Sequence, residues 1–183
     1  SDYDLFWRRL RDEGAVICDR SPEIMRWRLS DPDQTLPPLL LAYRRDGRIT
    51  GYAMAMMGKG NSIEPPCLEI LDLQALADEP DAIEVLARNL IRGAKAMGAA
   101  KVRLAVVNPA LLARLGDLPR TARREGGWGH CLAIFHDQSV DFSSWAPTPF
   151  DGDYAVYTRP PPVHENGALR ARERARSVRF SKA

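Results

Sequence analysis

The sequence predicts an α/β protein built on a mixed, mostly antiparallel sheet with helices on both faces. Three observations predict this class. An Asp-Gly turn lies between two apolar strands, which indicates a hairpin. A strand-helix-strand run in the middle of the chain implies a right-handed parallel crossover. The chain has 183 residues, of which 45% are hydrophobic, and this suffices for one complete core.

Two helices are predicted first. The pattern from Asp2 to Asp12 places its large apolar residues at spacings of three and four, as on one face of a helix. Ser21 followed by Pro22 predicts the start of the second helix, because serine caps a helix N-terminus and proline is favoured in the first turn. We expect this helix to stop before Asp31, which precedes a proline.

The hairpin follows the helices. Leu39 to Tyr43 is its first predicted strand, Asp46 and Gly47 supply the positive-φ positions of the turn, and Ile49 to Met57 is the return strand. The hairpin is expected to leave an edge of the sheet exposed. Because exposed edges need a cover, we expect another domain, a second protomer or a chain terminus there.

The next predicted strand, Leu68 to Ala75, is apolar on both faces, which is typical of a central strand. Simple alternation puts Leu68 and Ile70 on one face and Leu71 and Leu73 on the other. This strand therefore carries the middle of the predicted sheet.

The clearest helix of the sequence runs from Asp81 to Met97, with an apolar stripe at helical spacing and Gly98 at its C-terminal end. The later elements are shorter. In chain order they are a strand at Lys101–Val107, a helix at Pro109–Leu115, and strands at His130–His136 and Tyr154–Thr158.

Arg159 is followed by three prolines, which can continue neither a helix nor a central strand. We therefore expect a domain over residues 1–159, followed by a proline-rich spacer and a basic tail over residues 160–183. The stretch from His164 to Ala183 holds six basic and two acidic residues, a net charge of +4. Because the whole chain has a net charge of +2, residues 1–163 carry a net charge of −2.

Cysteines and charge narrow the functional classes. Cys18, Cys67 and Cys131 lie far apart and form no Cys-x-x-Cys pair, so we expect no metal site and a reduced, cytoplasmic setting. No apolar run approaches the roughly 18 residues of a membrane span, and the small net charge does not indicate nucleic acid. There is no signal-peptide pattern. Because the chain begins with Ser1, we expect a processed product or a piece of a longer protein.

The element order resembles the GNAT N-acyltransferase superfamily over about residues 2–158. In that family a strand precedes two helices, and here this first strand is missing. The segments Ile24–Arg28 and Asp46–Tyr52 are similar to bacterial members in which such a domain is the second half of a tandem protein. The resemblance implies that acyl-CoA lies between the strands Leu68–Ala75 and Lys101–Val107, which splay apart in the family.

The resemblance also implies site residues. The backbone around Leu71 and Leu73 would hydrogen-bond the acyl group and pantetheine arm of acetyl-CoA or another acyl-CoA. Asn108 looks like the family's common asparagine after the second splayed strand. Glu69 and Asp72 lie on the strand that faces the substrate in the family, where a carboxylate could act as general base on an amine.

Glu69 and Asp72 also have a structural interpretation. Glu69 could lie at the solvated start of its strand, and Asp72 could make a structural hydrogen bond. Because they are three positions apart on a strand, we expect them on opposite faces and not as an acid/base pair.

Two positions depart from the family pattern. The loop Leu76–Asp81 has three acids and no glycine, where the family has a glycine-rich loop that binds the diphosphate of CoA at a helix N-terminus. Leu115 stands where the family often has a tyrosine that protonates the leaving thiolate. Acids repel a diphosphate, so we expect this chain alone to bind free CoA weakly or not at all.

Two further groups have both a functional and a structural interpretation. His130, Cys131 and His136 lie on one predicted strand but match no zinc motif, and a buried cysteine between strand-end histidines is the simpler interpretation. The aromatic loop Trp145–Asp153 could wall a substrate pocket or cap the core.

Two functions therefore stay open, and with them the question of whether the chain is an enzyme. The first is N-acyl transfer from acyl-CoA to a small-molecule or sugar-linked amine, with Glu69 or Asp72 helping to deprotonate it. The second is a degenerate, non-catalytic GNAT-fold module that serves as the structural or recognition half of a larger protein. Besides the amine, the expected partner is a second copy or a missing N-terminal domain; neither nucleic acid nor a membrane is predicted.

Overall fold

A computed structural model of the chain describes residues 1–30, 37–58, 65–124, 134, 136–137 and 139–152. The described helices and strands follow one another as α1 (Asp2–Asp12), α2 (Pro22–Leu29), β1 (Leu39–Arg45), β2 (Arg48–Gly58), β3 (Cys67–Ala75), α3 (Ala82–Ala94), β4 (Lys101–Leu104), α4 (Pro109–Ala113) and α5 (Leu118–Thr121). Short 3-10 turns lie at Phe142–Ser144 and Pro149–Asp151.

The four strands form one mixed sheet in the order β1-β2-β3-β4. β1 pairs with β2, and β2 with β3, in antiparallel orientation, whereas β3 and β4 are parallel. This confirms the predicted mixed sheet and its central crossover through α3. The parallel ladder is short, because it joins only Cys67–Ile70 to Lys101–Leu104. β4 therefore ends earlier than the predicted Val107, and β3 continues to Ala75 beside β2.

Local signals explain the first elements. α1 has the predicted bounds, and the side chain of Ser1 accepts a hydrogen bond from the Asp4 N–H at its start. Ser21 caps α2 in the same way, as predicted. In the hairpin turn Asp46 and Gly47 have φ values of 50° and 77°, which an Asn-Gly or Asp-Gly pair tolerates best.

Other bounds differ from the prediction. α3 spans Ala82–Ala94 and not Asp81–Met97, because the chain leaves the regular helix over the last turn before Gly98, which has a φ of 84°. α5 was not predicted, since four residues are too few to show a periodic pattern. The predicted strand Tyr154–Thr158 lies outside the described residues, as does most of His130–His136.

Apolar side chains cover both faces of the sheet. One cluster lies between the sheet and α3, with contributions from α4 and the turn after it, and the other lies between the sheet and α1 and α2. The first contains Ala53, Ala55, Leu68, Ile70, Leu73, Leu86, Leu90, Leu111 and Leu115. The second contains Phe6, Trp7, Leu10, Met25, Tyr52, Met54, Met56, Leu71 and Phe150.

A β-bulge interrupts the pairing of β2 with β3. Met54 pairs with Asp72 but the next residue, Ala55, pairs with Ile70. Leu71 is therefore the extra residue on β3, and such a residue shifts the alternation of side chains beyond it.

The bulge makes the predicted faces of β3 wrong. Leu71 packs in the cluster beside α1 and α2, whereas Leu73 packs with Leu68 and Ile70 in the cluster beside α3. Alternation alone had placed Leu71 and Leu73 together. The bulge is the physical reason for the difference, since it inserts one position between them.

Candidate functional site

The two carboxylates of β3 share one face of the sheet. Glu69 pairs with Met56 and Asp72 with Met54 across the ladder, and both methionines belong to the cluster beside α1 and α2. The prediction of opposite faces was therefore wrong, again because of the extra residue Leu71. Each carboxylate nevertheless has its own arginine partner, so the two do not form a pair.

Asp72 is fully buried and both of its oxygens accept hydrogen bonds. Oδ2 accepts from Arg20 Nε at 2.8 Å and from the Tyr52 hydroxyl. Oδ1 accepts from Thr148 Oγ1 at 2.8 Å, from Arg20 Nη2 at 3.2 Å and from Gln74 Nε2 at 3.2 Å. A carboxylate with every lone-pair direction in use has no position left for the proton of an amine.

Arg20 lies at the centre of this network and is fully buried. Beyond Asp72 it reaches Asp151, with Nη2 at 2.7 Å from Oδ2 and Nη1 at 3.0 Å from Oδ1. Nη1 also donates to the carbonyl oxygen of Cys18 at 2.8 Å. The guanidinium thus joins the segment before α2 to β3 and to the 3-10 turn Pro149–Asp151.

Two polar side chains stabilise the turn Pro149–Asp151 itself. Thr148 and Asp151 form a capping box, in which the Thr148 N–H donates to Asp151 Oδ2 at 2.7 Å. Burial alone would raise the pKa of Asp151, but the hydrogen bond and charge of Arg20 hold it below its usual range. Sequence reasoning missed these residues, although the Thr-x-x-Asp spacing is a recognised capping signal.

The ring of Phe150 contacts two guanidinium groups. The guanidinium carbon of Arg20 lies 4.8 Å from the centre of the Phe150 ring, and that of Arg28 lies 4.9 Å from it. Arg28 also donates to the Phe150 carbonyl oxygen at 3.0 Å. Burial, followed by the charge of Asp72, raises the pKa of Tyr52 well above its usual value. Tyr52 therefore keeps its proton and donates a hydrogen bond to Asp72.

Glu69 is also buried, with 2% of its surface exposed. It faces Arg103 of β4, whose Nε donates to Oε2 at 2.8 Å and whose Nη2 lies 2.7 Å from Oε1. Neighbouring Cys67 has its thiol pKa raised to about 12, first by burial and then by the charge of Glu69. The predicted solvated strand start is wrong for Glu69, since it lies in the paired part of β3.

The residues expected to bind acyl-CoA have partners within the chain. The N–H of Leu73 donates to Asp72 Oδ1 at 3.1 Å, and Leu71 is the bulged residue. The side chain of Asn108 accepts from the Leu111 N–H at 2.8 Å as the cap of α4, and donates to the Pro147 carbonyl oxygen at 3.3 Å. Asn108 thus acts as a helix cap and as a tie to the aromatic loop.

The aromatic loop crosses between β3 and β4 where the two strands part. Thr148 contacts Asp72 on β3, and Pro147 contacts Asn108 after β4. Phe150 is buried in the core, so the loop caps the core as one interpretation held. Trp145, Pro147, Thr148, Asp151 and Gly152 of the loop also line an open pocket of about 230 Å³ together with Val16, Ile17 and Cys18. That this pocket holds a substrate stays a prediction.

The acidic loop Leu76–Asp81 is tied to arginines. Glu79 is buried, and Arg45 donates to both of its oxygens, with Nη2 at 2.7 Å from Oε2. These hydrogen bonds lower the pKa of Glu79 below its usual value. Asp78 is exposed and pairs with Arg9 at 2.8 Å.

The backbone of this loop is occupied from both sides. The guanidinium of Arg114 donates to the carbonyl oxygens of Ala75, Leu76 and Glu79 at 2.8 to 2.9 Å. The N–H of Ala77 donates to the carboxylate of Glu13 at 2.8 Å. An acid of the chain itself therefore takes one of the N–H groups that a glycine-rich loop would offer to a phosphate.

The residues present do not fit acyl-CoA. A diphosphate needs free N–H groups and a positive or neutral environment, but this loop presents Asp78 and Asp81 and is contacted by Glu13 from the end of α1. Leu115, at the family's tyrosine position, is buried in the core cluster beside α3 and offers no proton. Weak or absent binding of free CoA stays a prediction.

Several predicted groups lie outside the described residues. They include His130, Cys131 and the tail from residue 160 onward, whereas His136 is described and exposed. Within the described part of the chain no cluster of His, Cys, Asp or Glu side chains is arranged to hold a metal ion. None of the described helices combines the length and apolarity needed to cross a membrane.

Comparisons with known proteins bear on the fold. No family model and no curated protein matches the sequence. The structure is similar to a ribosomal-protein-alanine N-acetyltransferase from Brucella melitensis biovar Abortus 2308, with a TM-score of 0.52, 14% identity, and coverage of 73% of this chain and 91% of that one. It is also similar to an aminoglycoside acetyltransferase, meta-AAC0020, from an uncultured soil metagenomic sample, with a TM-score of 0.50, 14% identity, and coverage of 74% and 92%. The chain therefore has the GNAT fold.

Proposed function

We propose that this chain is a non-catalytic GNAT-fold module that serves as a structural or recognition part of a larger assembly. One observation carries the proposal: the chain's own side chains occupy the positions where acyl-CoA and an amine would need free groups. The fold is that of N-acetyltransferases, but fold alone does not establish chemistry.

The carboxylates support this proposal. A general base must be able to accept a proton from the substrate at hydrogen-bond distance. Asp72 is held by Arg20, Tyr52 and Thr148, and Glu69 is held by Arg103. Taking away the arginine partner of either carboxylate would leave a buried charge unpaired, which costs several kcal/mol. Both therefore act as structural anchors of β3.

The loop after β3 supports it independently. Its N–H group at Ala77 is used by Glu13, and its carbonyl groups are used by Arg114. A bound diphosphate would have to displace the Glu13 carboxylate and lie close to Asp78. A pair of like charges about 4 Å apart costs roughly 1–4 kcal/mol at dielectric constants from water to a protein surface.

Thermal unfolding with acetyl-CoA tests the proposal. A ligand at a hundred times its dissociation constant stabilises the folded state by about 2.7 kcal/mol, which raises the melting temperature of a chain of this size by roughly 5–10 °C. We expect no rise with 1 mM acetyl-CoA. A rise of several degrees, or measurable acetyl transfer to an amine, would favour the enzymatic alternative, N-acylation of a small-molecule or sugar-linked amine.

The double variant E13A/D78N separates charge repulsion from lost geometry. Both side chains are exposed, so the substitutions leave the core intact. We expect no acetyl-CoA binding here either, because Arg114 still holds the loop carbonyls and the aromatic loop still crosses between β3 and β4. A calorimetric signal that appears only in the double variant would show that the acids alone exclude the ligand. The matched control is E23Q, at an exposed acid on α2.

A further inference from the structure

We propose that the free edge of β1 pairs with β1 of a second copy of this chain, about a two-fold axis at Leu41. The two sheets would then form one continuous antiparallel sheet. This interaction surface is independent of the function proposed above, since β1 lies at the opposite edge of the sheet from β4.

The edge itself is the first observation. Among the described residues β1 pairs with β2 alone, so its outer side presents backbone N–H and C=O groups to the surroundings. Such an edge is a template for another strand. Natural edges are guarded by charges or prolines within the strand, but the stretch from Leu39 to Tyr43 has neither. Leu40 is 46% exposed.

The arginines at the end of β1 are engaged in ion pairs within the chain. Arg44 Nη1 lies 2.6 Å from Asp2 Oδ2, and Arg45 Nη2 lies 2.7 Å from Glu79 Oε2. Both side chains therefore point to partners in the same chain. Arg45 also donates to the Tyr43 hydroxyl at 3.4 Å, so its charge lies at one end of the apolar stretch, and Leu39–Ala42 themselves carry no charged side chain.

A groove beside the edge is the second observation. It has a volume of about 250 Å³ and lies between Leu39 and Leu41 of β1 on one side and α3 with the turn after it on the other, where Asn89, Leu90, Gly93 and Met97 line it. A Cβ atom built on Gly93 would meet nothing within 4 Å. Packing within this chain therefore does not require a glycine there, although glycine in a helix interior is unfavourable. Apolar side chains of an added strand on this face would enter the groove.

The register favours a second copy as the occupant. In an antiparallel pair centred on Leu41, Leu40 lies opposite Ala42 of the partner, and Leu39 lies opposite Tyr43 of the partner. Apolar residues thus face apolar residues. Arg44 falls opposite Pro38 of the partner, so no like charges meet. A two-fold contact of this kind is self-complementary and closed, which is the commonest arrangement of soluble oligomers.

Sedimentation equilibrium of the full chain tests the proposal, with a dimer expected at micromolar concentration. The variant L40K/A42K sets like charges opposite each other across the axis and should weaken association at least tenfold. The variant L40E/A42K sets opposite charges across the same axis and should retain the dimer. Because only the sign of one charge differs between the two variants, their comparison tests the register directly.

Gly93→Leu provides a second test from the helix side. It fills the groove from within the chain, and it should raise the melting temperature of the monomer while weakening association at least tenfold. Ile91→Lys, on an exposed position of α3 outside the groove lining, should leave the dimer unchanged. Circular dichroism confirms that each variant is folded.

The outcomes that would overturn the proposal are specific. They are a folded wild-type chain that stays monomeric at 100 μM, a dimer that survives L40K/A42K or G93L, or loss of the dimer in L40E/A42K to the same extent as in L40K/A42K.

Discussion

Arginine–carboxylate contacts hold two different loops of the molecule. Arg20 holds the aromatic loop and Arg9 contacts the acidic loop, with the same chemical groups at nearly the same distances. Arg20 reaches Asp72 and Asp151 at 2.8 and 2.7 Å, and Arg9 reaches Asp78 at 2.8 Å. Their environments differ. The Arg20 and Asp72 side chains are 0% exposed, whereas those of Arg9 and Asp78 are 53% and 64% exposed. A distance alone therefore does not rank an ion pair, because competition with water decides its contribution.

Substitution in the buried network around Arg20 should cause the largest loss of stability. Arg20→Met leaves Asp72 and Asp151 buried without their cation, and breaking a buried pair in this way costs roughly 3–5 kcal/mol. Urea unfolding monitored by circular dichroism would measure it. The control is Arg26→Met, whose side chain is 73% exposed, and which should change stability by no more than about 0.5 kcal/mol. Equal effects of the two substitutions would contradict the comparison.

Arg114 should give an intermediate effect, because it is half-buried and its partners are neutral. Arg114→Met removes this donor from the carbonyl groups of Ala75, Leu76 and Glu79. The carbonyls of Leu76 and Glu79 keep the N–H groups of Glu79 and Ala82 as donors, so we expect a loss of roughly 1–3 kcal/mol, mainly for the lost contact to Ala75. Arg92→Met, at an exposed position of α3, is the matched control. If unfolding shows no difference between the two variants, water replaces the guanidinium and the loop does not depend on it.

The dependence of stability on pH should identify Asp151. Its pKa is lower in the folded chain than the ordinary value of 3.8, so its contribution is present above about pH 4 and is lost as the pH falls through the folded value. Melting temperatures measured from pH 6 to pH 2 should therefore fall more steeply for the wild type than for D151N. The control D12N should retain the wild-type slope. A D151N curve parallel to the wild type would refute the assignment.

The smallest effect is expected for Arg9 and Asp78. A double-mutant cycle with R9A and D78N should give a coupling of roughly 0–1 kcal/mol, since exposed pairs gain little over water. In 1 M salt the Debye length falls to about 3 Å, and the coupling should vanish. A coupling that is unchanged by salt would mean that the pair is shielded from solvent.

Parts of the fold with a local cause were predictable from the sequence. The cap at Ser21, the positive-φ turn at Asp46 and Gly47, and the apolar stripe of α3 each lie within a few residues of the structure they cause. The bulge at Leu71 was not recognised, although the acidic positions Glu69 and Asp72 change phase across Ile70 and Leu71. A strand that is apolar on both faces can show the same change of phase without a bulge.

The candidate site was less predictable. The importance of Asp72 was expected, but its partners Arg20 and Asp151 come from distant parts of the chain, and only packing brings them together. The acidic loop was recognised from its composition, yet the roles of Glu13 and Arg114 follow from the tertiary fold. Sequence patterns thus located the loop and the strand, and the structure was needed to show what occupies them.

The wide sequence separation within the buried network has a kinetic consequence. Arg20 and Asp72 are 52 residues apart, and Arg20 and Asp151 are 131 apart. During synthesis Arg20 therefore leaves the ribosome long before Asp151, and the aromatic loop can dock only after most of the domain exists. Contacts of such long range form late in folding. Replacing Asp151 should then speed unfolding and leave the folding rate nearly unchanged. The contacts of this carboxylate thus form after the rest of the sheet and slow its unfolding.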